Sequence, residues 1–171
     1  MRVFIVLIFT LQAFIILGQV DTQLCDNPKF EKAIERYIKH SVEVISVDEL
    51  YEYKGNYVLL DAREFEEYET SHIPGSLYFG YDNPNLNVLD NIDKDQPIVM
   101  YCSIGYRSEK MGEMLEEKGF TNVKNLYGSI FEWGNKSYPL VDSKDNETNK
   151  IHTYNKQWSK WVQNSTLEKV Y

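Results

Sequence analysis

Two uninterrupted apolar runs, "YVLLDAR" and "PIVMYC", constrain the fold of this chain more than any other feature. A strand with one face in water alternates apolar and polar residues. A run without polar interruption is covered on both faces, as in a parallel sheet between helices. Helical patterns surround these runs. "SVDELYEYKG" opens with Ser46 three residues before Glu49, a capping-box pair, and closes at Gly55. "EFEEYETSH" reads as a short helix, and "RSEKMGEMLEEKGF" brings Met111, Met114 and Leu115 to one face with Gly119 as its stop. "VEVISV", "GSLYFGY" and "TNVKNLY" supply further strands, "LNVLDNI" another helix, and "GSIFEWGNKSYP" a helix that Pro139 ends. Such alternation through short links predicts an α/β domain with a mainly parallel sheet.

The two ends differ from this core. "MRVFIVLIFTLQAFIILGQ" has one basic residue, an apolar run broken by Thr10 and Gln12, and then Gly18. That layout is a signal peptide over residues 1–19, and the run is short for a membrane span. It predicts a secreted or periplasmic protein with no stable membrane insertion after cleavage; the alternative is an uncleaved anchor. Residues 20–41 form a helical lead-in, with Pro28 at the first helical position and Phe30, Ile34, Tyr37 and Ile38 on one face. Residues 42–140 hold the α/β domain. In residues 141–171, "VDSKDNETNK" reads as a polar linker and "IHTYNKQWSKWV" as an aromatic helix carrying Tyr154, Trp158, Trp161 and Val162. That helix would dock on the domain or bind a partner.

Charge narrows the function. The 171 residues carry a net charge of −8 and no dense Lys/Arg cluster, so nucleic-acid binding is not expected. An acidic surface also repels small anions, and any anion site must be built locally. The scattered histidines and the two cysteines show no metal-ligand spacing, and no Gly-rich phosphate loop is present. No metal or other cofactor is expected.

Cys102 sits at the exit of the apolar run, where α/β proteins collect ligands, and is followed by "SIGYRS" and a helix. The thiolate is the nucleophilic form of cysteine. At a strand-to-helix turn, inward backbone N–H groups and the helix N-terminus favour that anion. Gly105 lets the loop curl, Arg107 adds a permanent cation whose fork suits an oxyanion, and Ser108 caps the helix or donates to a bound anion. Ser103, Ile104 and Tyr106 complete a nest around one sulfur. Cys25 lies in a polar segment far from this loop, and pairing of the two cysteines is not expected.

The stretches "LLDAREFEEYETSHIPGSLYF" and "PIVMYCSIGYRSEKMGEMLEEKGFTNVKNLYGSIFEW", in this order, resemble the rhodanese family, the thiosulfate sulfurtransferases, over roughly Val42 to Pro139. The resemblance implies a three-layer α/β/α domain with a five-stranded parallel sheet, with Cys102 as the persulfide-forming cysteine and Ser103 to Arg107 as the active-site loop. It implies a small-molecule sulfur donor such as thiosulfate or a persulfide, and a thiol acceptor. Three positions depart from the family pattern: Ser76 for an alanine, Ser129 for the second glycine of a pair, and Ser103 where many members carry a basic residue. Cys102 through Arg107 is one residue shorter than the Cys-x5-Arg loop of the Cys-dependent phosphatases, and Tyr101 stands at their histidine position. Both features disfavour phosphate esters. Asp61, Arg63 and His72 are assigned to the pocket rim or to structural support, Arg63 pairing with Glu66 or Glu67. The alternative function is a non-catalytic binding or redox module presenting the Cys102 loop to a protein partner.

Overall fold

The computed structural model describes residues 23–171; the leader pattern of residues 1–19 lies outside them. Helix α1 (Pro28–Ile34) starts where the Asn27 side chain accepts from the Lys29 and Phe30 amides, and it buries Phe30 and Ile34. Then follow β1 (Glu43–Ile45), α2 (Val47–Tyr53), β2 (Val58–Asp61), α3 (Phe65–Thr70) and β3 (Leu77–Tyr78). The central run forms β4 (Ile98–Tyr101), α4 (Tyr106–Glu117), β5 (Val123–Leu126) and α5 (Ser129–Asn135). Ser46 caps α2 by accepting from the Glu49 amide, as its spacing predicts.

The five strands pair in parallel in the order β1-β5-β4-β2-β3. The predicted α/β architecture is therefore the observed one. Every residue of β4 is buried, because its two faces enter different cores. Val99 and Tyr101 pack with α1, α2 and α5, through Phe30, Leu50 and Phe131 among others. Ile98 and Met100 pack with Leu115, Met111 and Met114 of α4. Period-two alternation along one strand thus separates two apolar layers, and the helices close both.

Three expectations change. "LNVLDNI" forms only one 3-10 turn, Leu86–Leu89. The expected C-terminal helix is absent. Instead β6 (Lys150–His152) pairs in parallel with β7 (Glu168–Val170), and a short 3-10 turn, Ser159–Trp161, lies between them. Asn155 caps that turn by accepting from the Gln157 and Trp158 amides, but the Gln163 and Asn164 amides, which would continue a helix, donate instead to Asn135 Oδ1 of α5. The aromatic spacing still docks as expected, with Trp161 stacked on Phe30 at 5.5 Å and Val162 and Ile151 inside the core. The segment read as a linker is likewise pinned at its start, where the His72 and Val141 amides and carbonyls exchange hydrogen bonds at 2.8 and 3.0 Å.

α5 begins at a turn that tolerates little. Gly128 has φ +70°, and a β-carbon there would stand 2.7 Å from Glu132 Cβ and 2.9 Å from Cys25 Sγ. Gly128→Ala therefore adds left-handed strain to a clash with the Glu132 and Cys25 side chains. It should lower unfolding free energy by about 2 kcal/mol or more, measured by urea titration.

Candidate active site

Where β4 ends, the chain must turn within a few residues to start α4, and Gly105 makes this possible with φ +119°. Its N–H turns back onto Cys102 Sγ at 3.2 Å. Its carbonyl accepts from Asn125 Nδ2 at 2.9 Å, and Asn125 Oδ1 in turn accepts the Ser108 hydroxyl at 2.7 Å. The loop is also held from α5. The Cys102 amide donates to Ser129 Oγ at 3.1 Å, the Ser129 hydroxyl donates to the Leu126 carbonyl at 2.9 Å, and the Ile130 and Phe131 amides reach the carbonyls of Cys102 and Ser103. Ser129 adopts φ +50°, the left-handed conformation a glycine would take freely, and its hydroxyl ties β5 to the nucleophile.

Arg107 does not present an open fork. Glu67 grips it with two bonds, Nη1 to Oε2 at 2.6 Å and Nη2 to Oε1 at 2.9 Å, while Nη2 also donates to Ser103 Oγ at 3.1 Å. Of five guanidinium N–H groups, two remain for a bound anion. Burial pushes the Glu67 carboxyl up, but the Arg107 bonds and charge, with Arg63 behind, hold it below the usual range. The pair is thus ionised although Glu67 is buried. For Cys102, burial likewise raises the thiol. The Arg107 charge, Ser108 and the Gly105 amide outweigh it, and the net direction is down. The single Ser108 proton points at Asn125, so the standing donors to the sulfur are the Gly105 and Ser108 amides, with the Arg107 charge acting beside them.

Cys102 is 1% exposed, yet it is not sealed in a core. It lies on the floor of a cavity of about 550 Å³ whose walls include Ser103, Ile104, Tyr106 and Arg107. Gly105 and Ser108 act from beneath that floor.

The rhodanese-like domain profile matches residues 46–136, more than half of the chain. The chain belongs to the rhodanese family. It is 29% identical over 93 residues to the thiosulfate sulfurtransferase GlpE of Coxiella burnetii, covering 54% of this chain and 85% of that protein. It is 28% identical over 118 residues to the tRNA uridine(34) hydroxylase of Cronobacter sakazakii, covering 66% of this chain and 32% of that one. A crystal structure of a Bacillus halodurans protein superposes with a TM-score of 0.54 at 24% identity, over 68% of this chain and 88% of the other, which shows the shared fold.

In this rhodanese domain the predicted loop residues assemble around the sulfur, whereas the supporting trio stands behind the cavity. Asp61 and Arg63 form a fully buried pair, Arg63 Nη2 to Asp61 Oδ2 at 2.7 Å, and Nη2 also reaches the Ser71 carbonyl at 2.6 Å. Arg63 therefore pairs with Asp61, and the expected Glu66 or Glu67 partner is corrected: Glu67 is committed to Arg107. His72 stacks on Tyr68 at 3.9 Å and its Nδ1 lies 3.0 Å from the Tyr68 carbonyl. It supports the turn and does not face the cavity. Tyr101 does similar work: its hydroxyl accepts from the Ile73 amide at 3.2 Å and shares a bond with Ser76 Oγ at 2.7 Å. Ser76 and Ser129, two of the departures from the family pattern, both supply hydroxyls that the structure uses. Sequence reasoning missed Glu67 as the brace of Arg107 and Asn125 as the clamp of the loop.

Two outcomes follow. Arg63→Ala leaves the Asp61 carboxylate buried without its partner and should cost roughly 3–5 kcal/mol by denaturant titration. The thiolate is the reactive form, and Arg107 favours it, so the pH inflection of Cys102 alkylation should lie below that of an ordinary cysteine. Arg107→Gln should move it upward and slow alkylation at neutral pH by on the order of tenfold. Arg107→Lys, which keeps the charge, should move it less.

Proposed function

We propose that this protein is an exported sulfurtransferase working through one rhodanese domain, moving a sulfane sulfur from thiosulfate or a similar donor to a thiophilic acceptor. The observation that carries the reading is Cys102 Sγ on a cavity floor, with the Gly105 amide 3.2 Å away and the Arg107 cation favouring its ionised form. The Cys102 thiolate attacks the outer sulfur of thiosulfate. A new S–S bond forms, the old one breaks, and its electron pair leaves with sulfite. The product is an anionic persulfide, and it needs the same amides and cation as the thiolate. An acceptor then takes the outer sulfur and returns the electron pair to Sγ. Neither step abstracts a proton from carbon or hydroxyl, which agrees with a buried, structural His72. The leader pattern of residues 1–19 supports export.

Incubation with thiosulfate followed by intact-mass measurement tests this. The wild type should gain one sulfur atom, and Cys102→Ala should gain none. An unmodified wild type with intact fold would overturn the enzymatic reading and return the loop to a binding role. N-terminal sequencing of protein recovered outside the cytosol should begin near Gln19 or Val20; a start at Met1 in the membrane fraction would overturn export by cleavage.

A further inference from the structure

The flank that follows the domain reaches the active site through His152, the last residue of β6, which packs against α3. Its Nδ1 faces two groups. The Tyr154 amide donates to it at 3.2 Å, and Glu67 Oε1 stands 3.9 Å from the same atom. These partners require opposite states of the ring. A nitrogen that accepts an N–H carries no proton, whereas one that donates to a carboxylate must carry one. Nδ1 can serve either, not both.

Each partner acts on Arg107. Glu67 Oε1 is the oxygen that accepts from Arg107 Nη2 at 2.9 Å, while Oε2 holds Nη1 at 2.6 Å. The Tyr154 ring lines the cavity and lies over the same guanidinium at 5.5 Å. Tyr154 is held at φ +62°, a left-handed backbone that a bulky residue adopts only where other contacts impose it. The charged groups facing His152 are Glu66 and Glu67 from α3, Arg63 from the β2–α3 turn and Arg107 from α4, and β7 places Val170 opposite it. Burial and the two arginines disfavour an imidazolium there, the carboxylates favour it, and the net direction is below an ordinary histidine. At neutral pH the ring is therefore uncharged and the Tyr154 bond stands.

We propose that His152 positions the anion site over Cys102 and switches it: uncharged, it keeps Tyr154 over Arg107; protonated, it releases the Tyr154 amide and takes Glu67 Oε1 from Arg107 Nη2. The proton comes from solvent, which reaches the 17% exposed side chain, and no covalent bond changes besides that N–H. A shift of about 1 Å brings imidazolium and carboxylate to charge-assisted bonding distance, and the Nη1 bond to Oε2 keeps the guanidinium aimed. Nη2 then offers a further N–H to an anion, beside a second positive charge. Anion affinity should rise as pH falls through the His152 inflection. Thiosulfate as the natural anion rests on the preceding reading; the exchange of partners does not.

The two parts are measured separately on Cys102→Ser protein, which lacks the thiol's own titration. In an NMR titration from about pH 8 to about pH 5, the His152 ring and the Tyr154 amide should share one inflection, and protection of that amide from hydrogen exchange should fall about tenfold below it. His152→Gln keeps an acceptor for the amide and gains no proton, so Tyr154 should stay protected throughout; His152→Ala should lose protection at every pH. By calorimetry, thiosulfate and sulfate should each bind several-fold tighter below the inflection than above it, and His152→Gln should remove that gain. Glu64 and Asp82, which also line the cavity, are present in both proteins, so the difference between them belongs to His152. A Tyr154 amide indifferent to the His152 inflection, the same pH dependence of anion affinity in His152→Gln, or no binding of either anion at millimolar concentration overturns the inference. Sulfate that binds with the expected pH dependence where thiosulfate does not would sink the sulfurtransferase reading alone.

Discussion

A cysteine at the C-terminal end of the central strand, placed where its ionised form is favoured, is the arrangement on which the rest of this structure depends. Removing a thiolate from water is unfavourable, and burial by itself would keep Cys102 protonated. The molecule offsets this with dipoles and a charge that are already in place before any substrate arrives. The Gly105 amide is aimed by a backbone angle that a β-carbon would strain, and Arg107 is aimed by two bonds from Glu67. Preorganisation of this sort favours charge on the sulfur because no group has to reorient when that charge forms.

Glu67 has a second consequence. A bare guanidinium beside the sulfur would be an avid, unselective anion site. Pairing with a buried carboxylate leaves the pair near neutral, and together with Ser103 it engages three of the five guanidinium N–H groups. Behind it, the Asp61–Arg63 pair and the Tyr101 hydroxyl join β2, β4 and the "HIPGS" turn into one polar seam within apolar surroundings. Removing one charge from such a seam costs more than the pair contributes, since the orphan stays buried. The seam thus commits the β2–α3 and β3 loops to one placement, and these loops carry Glu64 and Asp82 to the cavity mouth.

The segments flanking the domain are part of the same object. α1 places Phe30 against both Phe131 of α5 and Trp161 near the C-terminus, so three distant stretches share one aromatic contact. The parallel pair β6 and β7 encloses the turn that presents Trp158 to the cleft. The rhodanese domain supplies Cys102 and its loop, and its flanks supply most of the aromatic side chains that line the cavity.

The layered α/β fold and the strand-to-helix position of Cys102 were written in the chain, because both are matters of short-range order. Uninterrupted apolar runs require burial on both faces, and a cysteine between strand and helix occupies a turn whatever surrounds it. Partner choice among charges was not legible. Arg63 had carboxylates within a few residues on either side, and only the packed loops show that Asp61 takes it while Glu67 reaches across to Arg107. The C-terminal aromatics had helical spacing but form a turn between two strands, since Asn135 of α5 captures the Gln163 and Asn164 amides that would continue a helix. The cleft itself is assembled from five separated stretches of chain, around positions 36–37, 64, 81–82, 102–107 and 154–158. Their proximity is set by tertiary packing, and local patterns carry no information about it.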